Sequence, residues 1–237
     1  MPFRGPEPAD LDNVCALNRT FIDLVRSGRA RCGGQGERIA ALDRRRSERL
    51  AGCPFLLYSL SEHDTARWER GFETAVQQDL VDVLARPGDE LVRLGLVTLG
   101  FLWQFAQRQP YAARVVSGAP LAWCEMLGES TLIGASQFVA NEPGLIGLRL
   151  ADDAMFWRKL LVAGTSHEQE VRDAAQLSAL HTLLTKTADD IKLRLPVAAR
   201  SMPACKTAVL KSEPHGYNTP PDESPVHKIA DKDLRQR

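Results

Sequence analysis

The sequence predicts an all-α fold: a single-domain multi-helix bundle with a buried central helix at about 89–108 and a disordered C-terminal tail. Three observations carry this reading. Apolar residues recur at helical spacing through most of the chain, alternation of the strand type never persists beyond a few residues, and composition shifts abruptly after Leu195.

The 237 residues divide on this basis into a flexible N-terminal arm at 1–9, a helical domain at 10–195 and a disordered tail at 196–237. The arm carries three prolines. Asp10 is expected to cap a first helix, in which Leu11, Val14, Leu17, Phe21, Leu24 and Val25 share a face and Gly28 ends the run. The glycines from Gly33 to Gly36 read as a loop. A second helix is expected over 37–51, with a thin apolar stripe and arginines on its other faces. The run from Cys53 to Leu60 is apolar on all sides, so it must be buried whether helical or extended.

Asp64 or Ser61 can cap a third helix, with Trp68, Phe72, Val76, Leu80 and Leu84 on one side, stopped by Arg86-Pro-Gly. Asp89 and Glu90 suit the N-terminus of the next helix, which is apolar nearly all round and therefore belongs at the centre of a bundle. Between Pro110 and Ala140 the glycines and prolines break the chain into short helices, expected to turn Trp123, Leu132, Ile133 and Phe138 inward. The segment 145–150 fits a linker better than a strand. Asp152 or Asp153 caps a helix closed by Gly164. A capping box of Ser166 and Gln169 opens the last one, whose stripe is expected at Val171, Ala174, Leu177, Leu180 and Leu184.

Beyond Leu195 the last 42 residues hold six of the fourteen prolines and one aromatic ring, Tyr217. Such a segment buries too little to offset its ordering entropy.

Composition sets limits on function. The formal net charge is zero, so no global field draws the chain to nucleic acid or membrane. The longest greasy stretch, Leu94 to Ala106, is short of the roughly 20 residues a membrane span requires, so no membrane partner is expected. Five unpaired cysteines and an N-terminus without an apolar leader segment predict a soluble, cytoplasmic protein.

No motif specifies chemistry, and no cofactor or metal is expected. The glycines at 33–36 are followed by Glu37, which would repel a phosphate. Neither Glu62-His63-Asp64 nor His167-Glu168-Gln169-Glu170 has a spacing that converges on one ion; helix capping explains them better. Gly128-Glu129-Ser130 lacks the closing glycine and preceding strand of a nucleophile elbow. A helix-turn-helix over 39–60 would present Phe55, Leu56 and Leu57 to a DNA groove, where such residues do not belong.

Two local features remain. Between Arg26 and Arg49 stand eight arginines against three acids, centred on Arg44, Arg45, Arg46 and Arg49, with Arg38 nearby. A solvated helix face explains them most simply. The functional readings are contact with an acidic protein partner or with nucleic-acid phosphates, although no aromatic residues interleave for base stacking. The second feature is an arginine, Arg93, within the apolar central helix, which together with Trp103 and Trp123 could line a pocket between helices. The sequence therefore favours a non-catalytic helical interaction or regulatory protein. The alternatives are a nucleic-acid-associated regulator using the arginine-rich helix, and an enzyme or carrier with an apolar interhelical pocket.

Overall fold

The computed structural model describes residues 5–30, 32–75, 89–142 and 144–194. By its contacts the chain divides after Pro196, and every described residue belongs to the first unit. The expected tail at 196–237 lies outside the described residues, as do residues 1–4 of the expected arm and the Val76, Leu80 and Leu84 positions of the third helix, whereas Pro8 and Ala9, expected in the arm, belong to the first helix.

The all-α expectation holds: the described residues form ten helices and one two-residue strand pair. Helix α1 is Pro8–Arg26, and its start corrects the sequence reading. Asp10 is not the cap but lies inside the first turn, where its carboxylate accepts the Glu7 backbone N–H at 3.0 Å. Pro8, which needs no N–H partner at a helix start, opens the element. Val14, Phe21, Ile22 and Val25 are buried, and Gly28, at φ +73°, takes the left-handed conformation that ends the helix.

The single helix expected at 37–51 is two, α2 at Gly33–Ala40 and α3 at Arg44–Ala51. The break arises because Asp43 accepts the Arg46 N–H at 2.8 Å and so starts a new helix. The glycines expected to be a loop form the first turn of α2. Gly36 is buried there, and a Cβ would approach that of Cys32 to 2.8 Å. Close packing overrides the low helix propensity of glycine.

The apolar run after α3 is extended and threads through the helices. Phe55, Leu56, Leu57, Tyr58 and Leu60 are all at most 1% exposed. Its buried backbone groups need partners, and distant residues supply them. The Leu56 N–H donates to Val116 O at 2.9 Å, and the Arg149 N–H donates to Leu57 O at 3.1 Å. Asn18, itself buried, donates to Phe55 O at 2.9 Å and accepts the Leu57 N–H at 2.9 Å. The run ends in β1 (Tyr58–Ser59), antiparallel to β2 (Gly147–Leu148) with Tyr58 opposite Leu148. The segment at 145–150, expected as a linker, therefore contributes a strand.

Helix α4 is Thr65–Ala75, started by Asp64, whose carboxylate accepts the Arg67 N–H at 3.1 Å. It packs on α8, and Gly71 is required there because a methyl would overlap the Phe138 ring. Helix α5, Glu90–Arg108, matches the expected central helix and packs against α1, α6, α7 and α8. Asp89 caps it by accepting the Leu91 N–H at 3.0 Å.

The short helices follow as α6 (Pro110–Ser117), α7 (Leu121–Glu129) and α8 (Leu132–Asn141). Gly118 ends α6 at φ +64°, with Leu183 packed where its side chain would stand. Leu132 and Ile133, expected inward, are 38% and 55% exposed, because the start of α8 projects from the core.

Helix α9 is Ala154–Val162 and α10 is Gln169–Arg194. The buried face of α10 is Ala175, Ala179 and Leu183; of the expected stripe Leu180 packs half-buried against the core, while Val171 and Leu177 are 39% and 68% exposed. No helix among the described residues is long and apolar enough to cross a membrane.

Candidate interaction surface

Two sets of contacts fix α9. At its N-terminal end the Asp153 carboxylate accepts the Met155 and Phe156 N–H groups at 3.1 and 2.9 Å and pairs with Lys186 of α10. The Lys186 hydrogen bond, seconded by the Phe156 N–H, holds the Asp153 carboxyl below its ordinary value. At its C-terminal end the last carbonyls of a helix have no partner within the helix. Arg46 of α3 donates to Leu161 O at 2.6 Å and to Thr165 Oγ1 at 3.1 Å. Arg49 donates to Thr165 O at 2.7 Å. Cations at that end also suit the helix partial charge.

Fixed in this way, α9 runs antiparallel to α10, with Lys159 donating to Ser178 and, nearer the start of α9, Asp153 meeting Lys186. Its inner face, Phe156, Trp157, Leu160 and Leu161, is buried. Its outer face is not. Met155 is 70% and Val162 63% exposed, seven residues apart and so on one side of the helix. Between α9 and α10 lies a groove of about 580 Å³, with Phe156 and Ala163 among its lining and Thr182 on the α10 side. Arg158 and Lys159 stand on its α9 wall. Among the described residues neither has a carboxylate within ion-pair distance.

The arginines expected to form one external surface are divided. Arg46 and Arg49 are half-buried and turned onto α9. Arg44 is exposed and paired with Glu48 at 3.1 Å, Arg45 is exposed, and Arg38 donates to Gln35 at 3.3 Å. The sequence showed a cationic helix but not which of its sides faced a helix C-terminus more than a hundred residues away.

The expected pocket residues are also separated. Arg93 is exposed on α5. Trp103 is half-buried and donates to Ser130 O at 2.8 Å. Trp123 is buried edge-on to Trp68, with ring centroids 5.2 Å apart. Trp68 in turn meets Phe138 at 4.7 Å, which places these rings in an aromatic core.

The sequence reading missed a buried ion pair. Arg149 Nη2 lies 2.9 Å from Glu62 Oε1, and the two side chains are 1% and 0% exposed. Arg149 also donates to Leu56 O at 3.0 Å and to Tyr58 O at 2.7 Å, and Trp157 donates to Arg149 O at 2.8 Å. Beside it the Tyr58 and Thr98 hydroxyls meet at 2.5 Å. Thr98 gives its own hydrogen to Leu94 O, so Tyr58 is the donor. Burial pushes the Tyr58 phenol up from its ordinary value. The pair therefore ties together β1, β2 and the start of α9 in the interior. The one available signal was a lone arginine within the apolar run at 145–150.

Among the described residues no three His, Cys, Asp or Glu side chains gather as metal ligands. Burial raises the Cys32 thiol to about 11 and the Cys124 thiol to about 12, and raises Cys53 further still. The chain matches no family model, no curated protein and no solved structure.

Proposed function

We propose that the chain is a non-catalytic helical interaction protein that contacts a protein partner through the outer face of α9 and its groove with α10. The single observation behind this reading is that α9 is held at both ends by ion pairs and hydrogen bonds while Met155 and Val162 stay in water. Exposed apolar surface gathered on one face marks interaction sites, whereas singly scattered apolar side chains do not.

The arginine count of α3 offers less to nucleic acid than the sequence suggests, because Arg46 and Arg49 are committed to α9. The tryptophans likewise argue less for a ligand pocket, since Trp123 packs edge-on to Trp68 and Trp103 meets the end of α7. A photo-crosslinking amino acid placed at Val162 in the full chain, within its own cells, tests the proposal. A discrete protein adduct from position 162, absent from the comparably exposed Tyr111 position, is expected. Identical products from both positions would overturn it.

A further inference from the structure

We infer that the occupant of the α9–α10 groove is an acidic amphipathic helix of a protein partner, an inference that rests on the interaction reading above. Three observations converge. Met155 and Val162 are seven residues apart, about 10 Å along the helix axis, the interval at which a docked helix repeats its apolar anchors over two turns. Phe156 and Ala163 add apolar lining beside these two side chains, and Thr182 of α10 borders the groove, so the apolar surface runs along α9 as a docked helix would. The charges then select the sign.

Arg158 and Lys159 lie between the two apolar anchors, and Lys159 has a hydroxyl, Ser178, as its partner. Asp153, the acid in the lining, is already paired with Lys186. The groove is therefore cationic along the midline of its α9 wall. A helix carrying glutamates or aspartates beside its apolar stripe meets complementary charge, whereas a basic helix meets repulsion.

The full chain is titrated with two fluorescent designed peptides of equal length and identical leucine stripe, one filled with glutamate and the other with lysine. The acidic peptide is expected to bind, more weakly in high salt, and the lysine peptide to bind at least tenfold less tightly. Reversing the wall with Arg158→Glu and Lys159→Glu should invert that preference. Met155→Asp with Val162→Asp should abolish binding of both peptides. All four side chains are exposed and only Lys159 gives up a contact, its surface bond to Ser178, so each variant should keep the parent's thermal midpoint to within a few degrees.

Equal binding of the two peptides, or failure of the reversed wall to invert their order, would overturn the acidic assignment. If neither peptide binds while the position-162 adduct persists, the acidic-helix inference falls and the interaction reading stands. Loss of the adduct as well removes both. An adduct consisting of a second copy of the chain, or displacement of the acidic peptide by anionic vesicles and not by neutral ones, would assign the groove elsewhere.

Discussion

The Arg149 guanidinium meets the Glu62 carboxylate at 2.9 Å in the interior, across 87 residues of sequence. Removing one member of such a pair strands the other without water, at about 3–5 kcal/mol. Glu62→Leu and Arg149→Met should each lower the stability measured by urea unfolding by about that much. The double variant should lose well under the sum of the two. Arg149→Met should be the worse single change, because Leu56 O and Tyr58 O also lose a donor.

How much of this was legible is clearest in particular residues. Caps are local, and Asp64, Asp89, Asp153, Gly28 and Gly118 all stand where the sequence placed a start or a stop. Asp43 carries the same signal, yet the arginines around it read as one continuous helix. The α10 stripe was misread because Ala174 and Ala175 are equivalent in sequence, and only the position of α9 decides which is buried. Two-residue strands have no periodicity to detect. The candidate site was least legible, since its groove, its arginine clamp and the Glu62–Arg149 pair all depend on contacts between distant segments.

Asn18 secures the buried extended run by donating to Phe55 O and accepting the Leu57 N–H, both at 2.9 Å. Asn18→Ala leaves those backbone groups unpaired at a fully buried position, so a loss of about 2–3 kcal/mol in chemical denaturation is expected. Asn18→Asp should do more harm at neutral pH, because a carboxylate would face the Ala51, Cys53 and Phe55 carbonyls.

The cysteines should separate by reactivity. The thiolate is the reacting species, and burial disfavours it at Cys53, at Cys124 and, to a smaller extent, at Cys32. In native protein at mildly alkaline pH, an alkylating reagent followed by peptide mass spectrometry should modify half-exposed Cys15 before Cys53 or Cys124. Denaturant should equalise the rates. Early labelling of Cys53 in native protein would contradict the packing of the extended run.

Asp153 makes part of the stability depend on pH. Its carboxyl is held below the ordinary value by Lys186 first, so the folded state favours the ionised form. The stabilisation is complete above the unfolded value of about 4 and is lost as pH falls through the lower folded value. Asp153→Asn keeps a capping side chain but breaks the ion pair, and should cost about 0.5 kcal/mol near pH 7, given the partial exposure of both groups. The gap between parent and variant, followed by urea melts at descending pH, should close below about pH 4.

The arginines of α3 provide the sharpest separation between a structural and an external role. Arg46 and Arg49 donate three hydrogen bonds to Leu161 and Thr165, while Arg44 and Arg45 face solvent. Replacing Arg46 and Arg49 with alanine should cost about 2 kcal/mol and speed amide exchange at the end of α9. Replacing Arg44 and Arg45 should change stability by no more than about 0.5 kcal/mol. Because Met155 and Val162 depend on α9 for their positions, the first pair should also weaken the position-162 adduct, and the second should leave it intact. If Arg44→Ala with Arg45→Ala removed the adduct at unchanged stability, the contact would extend over α3, and the acidic partner would span both cationic surfaces.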